Sequence, residues 1–391
     1  MKAVRSIGTR LVAFFSSLSL AGVLLCLLAL LTFLGTLEQA EFGLYEVQRK
    51  YFESLFLLHD AGPVTIPLPG GALVMGLLFV NLLVGGVARL RRGLGTAGVL
   101  TAHLGMLIML VAGFVKYATG VEGHVTLYEG DERNWFQSYT ETELAIVELR
   151  PNGAPTQEWT VADDELRGAG PGAEVALSGL PFGLEVTHWF ENANALPKGP
   201  MFDVDVPVVA GLFLQGRPKA AQAERNAAGG YVVVTGPDGI RRTGMLWAFD
   251  SAPWTVQVGE RTFALDVRRE RYPMPFDVRL DDFKKEDHPG TSMPAWFSSD
   301  VTVTDRMSGD DVSRPVLISM NEPLREEGLV LYQASWGPSN ARPGDPLFST
   351  LAVVRNPADQ WPFYSCVVIA AGLLFHFGRK LKLHVRRELA K

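Results

Sequence analysis

The chain has 391 residues, 47% of them hydrophobic, and a formal net charge of −6. That charge is divided: residues 118–360 hold 36 Asp/Glu and 21 Lys/Arg, a net of −15, while the remainder holds 6 and 15, a net of +9. The acidic stretch has the wrong sign for phosphate recognition, which excludes nucleic acid as its partner. It also contains no cysteine, which excludes a disulfide scaffold.

Four apolar runs are long enough to span a bilayer, which takes about 20 mostly apolar residues in a helix. They are Ser17 to Leu37, Leu68 to Leu90, Ala97 to Tyr117, and the shorter Trp361 to Gly378. Unpaired backbone groups are not tolerated in lipid, so all four are expected to be helices. Cys26 and Cys366 both fall inside these runs. No small-x-small cleavage site follows the first run, where Glu38 and Gln39 stand, so it reads as an uncleaved anchor.

Lys and Arg in the short flanking segments set the orientation. Lys2, Arg5 and Arg10 precede the first run, Arg89, Arg91 and Arg92 separate the second and third, and Arg379, Lys380, Lys382, Arg386 and Arg387 follow the fourth. With four alternating helices these clusters share one side, the cytoplasmic one, and both termini lie there. The expected organisation is therefore 1–37, cytoplasmic N-terminus and first span; 38–67, outer loop; 68–117, second and third spans; 118–360, a large outer domain; and 361–391, fourth span and basic tail.

In the outer loop, Leu44, Val47, Tyr51, Leu55 and Leu58 recur at helical spacing and predict an amphipathic helix on the membrane surface or against the outer domain. The outer domain reads instead as short alternating strands between Gly, Pro and Asp turns. Examples are Leu144 to Leu149 before Pro151-Asn152-Gly153, Tyr231 to Val234 before Gly236-Pro237-Asp238-Gly239, and Trp254 to Val258. Phe263 to Val267, Phe276 to Leu280, Val301 with Val303, and Leu329 to Gln333 continue the series. This is the pattern of an antiparallel β domain, sandwich or barrel-like. One short helix is expected within Lys219–Ala228.

Soluble-enzyme signatures are missing: there is no HExxH, GxSxG, P-loop or CxxC. The acidic pairs Asp163-Asp164, Asp281-Asp282 and Asp310-Asp311 read as solvated turn charge. Of seven histidines, His103 and His376 fall inside predicted spans, where an ionisable group is costly. His103 lies six residues into the third run, among small and apolar neighbours that include Ala102 and Gly105. A neutral imidazole there either ligates iron through one nitrogen or hydrogen-bonds a neighbouring helix. His376 sits near the inner end of the fourth run, an ordinary interfacial position. His59 and His124 are weak outer candidates, His188 and His288 read as structural or solvent-facing, and His384 lies in the basic tail. Asn81, polar within the second run, is expected to bond between helices.

Several stretches resemble the ResB proteins of the System II route of cytochrome c biogenesis. They are Phe14 to Ala21, Leu34-Gly35-Thr36, His103-Leu104-Gly105, Gly123 to Gly130, Phe276 to Phe283, and Pro294 with Ser298 to Asp305. The fullest is Met320-Asn321-Glu322-Pro323-Leu324, then Gly328, then Tyr332 to Gly337, similar to an Asn-x-Pro-Leu … Gly … Tyr-Gln-x-Ser signature. In physical terms Asn321-x-Pro323 is a turn and Leu329 to Ser335 a buried strand. The resemblance implies a subunit that pairs with a CcsA (ResC) type membrane protein carrying a Trp-rich haem-binding segment, which this chain lacks. Together the two deliver haem across the membrane and attach it to apocytochrome c, with thiol-reducing proteins as further partners. It implies His103 as an axial ligand to haem iron and catalysis residing in the complex. A bacterial inner membrane or a thylakoid would suit such a subunit, and no transit peptide is evident, which favours the bacterial inner membrane. Two other classes compete: a haem-free membrane scaffold docking a partner through its outer domain, and a transporter. The transporter is disfavoured because the sequence shows no inverted repeat.

Overall fold

The computed structural model describes residues 2–168, 172–200, 202–291, 294–306, 312–338, 341–342 and 345–391. The pair Asp310-Asp311 lies outside the described residues. The chain divides into two compact units, residues 1–121 with 355–391, and residues 122–354.

The first unit is helical: α1 (Lys2–Phe15), α2 (Leu18–Val47), α3 (Gly71–Asn81), α4 (Ala97–Thr119) and α5 (Trp361–Glu388). Four helical segments are long and apolar enough to cross a membrane, Leu18–Phe52, Gly71–Ala88, Ala97–Thr119 and Trp361–Glu388. The break between α1 and α2 falls at Ser16-Ser17. There the Ser17 side chain caps α2, accepting from the N–H groups of Ser19 and Leu20 at 3.2 and 3.5 Å. Asn81 bonds between helices as expected. Its Nδ2 donates to the carbonyl of Phe15 at 2.8 Å, at the end of α1, and to that of Ser17 at 3.0 Å, which also accepts from the Ala21 N–H of α2 at 3.3 Å.

The predicted outer amphipathic helix over 44–58 does not form as one piece. The helical path continues past Leu37, is interrupted at Gly43 (φ 80, ψ 168), and ends in a wide π-type turn at Gln48–Phe52. From Phe56 the chain becomes a hairpin, β1 (Phe56–Ala61) with β2 (Val64–Pro69), around the turn Gly62-Pro63. Gly62 has φ 70, and Pro63, Pro67 and Pro69 are incompatible with a helix interior. Of the five apolar positions, only Val47 and Tyr51 are buried, whereas Leu44, Leu55 and Leu58 are exposed.

α4 and α5 pack through small residues. Gly98, Ala102 and Gly105 form one buried stripe of α4. Ser365 and Gly372 are the buried residues of α5. The contact is close: a Cβ at Gly372 would meet the Ala102 backbone nitrogen at 2.6 Å, and one at Gly98 would meet the Gly372 carbonyl at 2.5 Å. The buried Ser365 hydroxyl donates to the carbonyl of Gly105 at 2.8 Å. Small-residue contact with a hydroxyl bond across it is how helices associate where no hydrophobic force separates them from lipid.

The second unit is antiparallel β structure. In chain order its main strands are β3 (Val121–Tyr128), β4 (Glu132–Leu149), β5 (Pro155–Ala162), β6 (Ala173–Val175), β7 (Gly183–Phe190), β8 (Ala193–Pro197) and β9 (Leu212–Gly216). They continue with β10 (Gly229–Thr235), β11 (Arg241–Trp247), β12 (Trp254–Val258), β13 (Arg261–Asp287) and β14 (Pro294–Asp305). The last are β15 (Val312–Ser319), β16 (Leu324–Glu326), β17 (Leu329–Gly337) and β18 (Phe348–Arg355).

A ten-stranded sheet runs β15-β14-β13-β4-β3-β18-β17-β16, with β12 on β13 and β5 on β4, and it does not close on itself. A four-stranded sheet runs β11-β10-β7-β6, and β8 pairs β9 separately. One core joins the two larger sheets, with Leu144, Ile146, Phe263 and Leu265 from the first meeting Leu184, Val186, Val232 and Val234 from the second. The two alternating runs at 263–267 and 276–280 belong to a single 27-residue strand, β13. Within Lys219–Ala228 only one 3₁₀ turn, Ala223–Arg225, is helical.

Two acidic pairs differ from their sequence reading. Asp163 opens a short helix (Asp163–Gly168) and is buried, not a solvated turn residue. It accepts from the Thr142 hydroxyl at 2.7 Å and pairs with Arg167, which also reaches Glu141 at 3.2 Å. Burial, reinforced by Glu141, pushes its carboxyl up to about 6. Asp281 and Asp282 lie within β13, where the ladder to β14 shifts register, and they bond Arg279 and Lys284 across the surface.

Candidate functional site

His103 projects from α4 onto the end of the second apolar segment. Past Asn81, that segment loosens into a π-type turn, Leu82–Ala88, closed by the Arg89 N–H bonding the Val84 carbonyl at 3.0 Å. Carbonyls beyond Val84 in this last turn have no helical donor. His103 supplies one: its Nδ1 lies 2.8 Å from the Gly86 carbonyl oxygen. A carbonyl can only accept, so Nδ1 carries a proton, and the neutral tautomer consistent with this bond is the one with its lone pair on Nε2. Nε2 has no partner among the described residues, and it is not sealed inside the protein.

Gly86 is what lets the imidazole seat. A Cβ at that position would stand 2.7 Å from His103 Nδ1 and 2.9 Å from a Leu82 methyl. Arg89, one residue past the turn, donates to the Ser16 hydroxyl at 2.6 Å, and Asn81 at the turn's start holds Phe15 and Ser17. The carbonyl that orients His103 is thus braced at both ends by the α1–α2 break. The sequence offered two readings of His103, ligand or helix-to-helix bond. The geometry is compatible with both at once, because the helix bond uses one nitrogen and leaves the other available.

His376 is half-buried against Gly98, on the face of α4 turned to α5. It makes an edge contact with Phe377 at 5.4 Å and no hydrogen bond among the described residues. His103 and His376 thus serve different faces of α4. His384 is exposed on the helical tail, and His188 and His288 are exposed in the β unit. His124, on β3, stacks on Tyr139 at 4.8 Å and bonds Gln137 at 2.9 Å. Burial, with the nearby Arg269, holds it below the usual imidazole range.

The structure assembles one further cluster that spacing did not show. Glu38, just past the C-terminal end of the first predicted span, takes Lys50 Nζ at 2.8 Å on Oε2 and the Tyr51 hydroxyl at 2.7 Å on Oε1. His59 Nδ1 sits 2.7 Å from the Tyr51 hydroxyl oxygen and 3.0 Å from Glu38 Oε1. Tyr51 is completely buried. The only available signal was four polar residues around a helix break at Gly43, and no regular spacing connects them.

In the β unit, the segment similar to the ResB signature makes contacts within its own sheet. Ser319 and Glu322 exchange backbone bonds at 3.2 Å across the Met320-Asn321 turn. Gln333 closes a buried ring: its Oε1 accepts from Ser299 at 2.7 Å, its Nε2 donates to Ser349 at 2.9 Å, and the two hydroxyls lie 2.7 Å apart. Trp336 stacks on Phe283 at 6.0 Å and under Lys285 at 4.4 Å.

Residues 244–346, from within β11 to the loop after β17, match the model of the ResB-like family. This match bears out the ResB assignment and contains the turn and the Gln333 strand just described. No curated protein matches the chain.

Proposed function

We propose that the chain is a ResB-type membrane subunit of a cytochrome c maturation complex, which helps deliver haem across a membrane and attach it to apocytochrome c. Its four apolar helical segments are the membrane spans, and the basic clusters at 89–92 and 379–387 mark the cytoplasmic side of a bacterial inner membrane. The acidic β unit then lies outside, where complementary charge would favour a basic apocytochrome.

The observation that carries this reading is the His103–Gly86 pair. An imidazole whose Nδ1–H is fixed by a backbone carbonyl has its orientation set and its Nε2 made more basic, the arrangement used by histidines that ligate metals. In this reading haem is cargo, and His103 supplies one axial nitrogen to its iron. The Trp-rich haem-binding segment belongs to a CcsA/ResC-type partner, and thiol-reducing proteins keep the acceptor cysteines reduced. Bond formation belongs to the complex, whose contribution is mainly to hold vinyl group and thiol in register.

The test is the visible spectrum of haem co-purifying with the complex. Substituting His103 by Ala should abolish or shift the histidine-ligated Soret band while the complex stays assembled. An unchanged spectrum would remove His103 from the haem site and favour a haem-free scaffold docking through the β unit.

A further inference from the structure

The Glu38–Tyr51–His59 cluster has the bonding of an oriented ligand. Tyr51 has one hydroxyl proton, and at 2.7 Å it is donated to Glu38, whose carboxylate can only accept. The proton between His59 and that pair must then be the imidazole's own, so Nδ1–H points at the Tyr51 oxygen and Glu38 Oε1. The lone pair falls on Nε2, which has no partner among the described residues and is not sealed in. Lys50 pairs with the other oxygen of Glu38 at 2.8 Å, so the carboxylate that faces the ring is itself held in place.

A purely structural latch explains Nδ1 but leaves Nε2 unused. The ring's surroundings suit a flat apolar ligand. His59 stands in β1 directly across from Ile66, which is 41% exposed, with Val64 two residues back along β2 at 57%. These are exposed aliphatic side chains beside an imidazole that is itself 16% exposed. The hairpin also follows the first span, whereas the basic loop at 89–92 follows the second, so positive-inside topology puts His59 on the side opposite that loop.

We propose that His59 is a second haem-iron ligand of this chain, coordinating through Nε2 on the outer side of the membrane and oriented by Glu38 and Tyr51. The inference rests on the haem-handling reading above, and it adds a station on the delivery side distinct from His103. Glu38 and Tyr51 are positioning residues that act through the ring.

Ferric haem titrated into the detergent-solubilised full chain tests the two sites separately. The chain carrying His103→Ala should still bind one haem with a histidine-ligated Soret band. Adding His59→Asn, which keeps a donor near the Nδ1 position but removes Nε2, should abolish that band while thermal stability stays close to that of His103→Ala. Adding Glu38→Gln instead should keep the band and weaken binding about tenfold to a hundredfold, the usual cost of losing a carboxylate behind a ligating histidine. The proposal is overturned if His59→Asn leaves the remaining band unchanged, or if His103→Ala alone removes all histidine-ligated haem. The second outcome leaves the His103 reading standing. Equal titrations of wild type and His103→Ala, with loss only on adding His59→Asn, would instead sink the His103 reading and keep this one.

Discussion

The Nδ1 atom of His103 and the carbonyl oxygen of Gly86 lie 2.8 Å apart, joining the third apolar helix to the loosened end of the second. The bond fills an acceptor that the helix end leaves empty and fixes which imidazole nitrogen is free. Both partners are needed: a glycine that lets the ring approach and a turn that releases the carbonyl.

Gly86→Ala should therefore mimic a change at His103 itself. The new Cβ would overlap the imidazole at 2.7 Å, with the Leu82 methyl at 2.9 Å on the other side. The expected result is a weakened or shifted Soret band with helix content unchanged by circular dichroism. A wild-type spectrum in this variant would show that the ring's seat on Gly86 has no bearing on haem.

Replacing Asn81 by Leu removes two hydrogen bonds at the α1–α2 break, to Phe15 and Ser17. Interhelical bonds of this kind contribute about 0.6 kcal/mol on average and up to about 1.7 kcal/mol. The loss should be about 1 kcal/mol, read as lowered thermal stability in detergent, and Leu should leave expression intact. A stability equal to wild type would mean that these carbonyls find other donors.

His103 and Asn81 were legible in the sequence because a polar side chain inside an apolar run needs a partner. That partner was not legible: the Gly86 carbonyl is a backbone group freed by a local widening of the helix, and no side chain announces it. The Glu38 cluster was hidden for a related reason. Its other members stand 12 to 21 positions from Glu38 and meet it only because Gly43 breaks the helix and Gly62-Pro63 turns the chain back. In the β unit, alternation marked most strands, but Pro273 and Pro275 made the middle of β13 look like a connection. That stretch is where its ladder to β4 shifts register. Asp163 was misread because a surface turn and a buried helix start share the same local sequence.

The buried Asp163 makes a pH prediction. Its carboxyl is raised from 3.8 to about 6, because burial and the neighbouring Glu141 favour the neutral form. A carboxyl raised in the fold binds its proton more tightly there than in the unfolded chain. Its stabilising contribution is therefore present at low pH and lost as pH rises from about 4 through 6. Compared with Asp163→Asn, the wild-type melting temperature should fall across that window and run parallel above about pH 7. Curves that stay parallel from pH 4 to 7 would contradict the raised carboxyl.

Ser299→Ala tests the ring behind the family-like signature. It strips the donor from Gln333 Oε1, which is buried with Ser349. An unpaired buried acceptor costs about 1–3 kcal/mol. The β unit should unfold correspondingly earlier in denaturant, while haem bound by the helical unit is unaffected. Loss of haem without loss of stability would place this ring in the site instead of the scaffold.

The most direct test of the central claim is covalent haem attachment to a co-expressed apocytochrome c, with the CcsA-type partner present, comparing wild type with His103→Ala. The account predicts that attachment and the histidine-ligated haem of the complex are lost together in the variant while both subunits still co-purify. Attachment at the wild-type level from an assembled His103→Ala complex would contradict it.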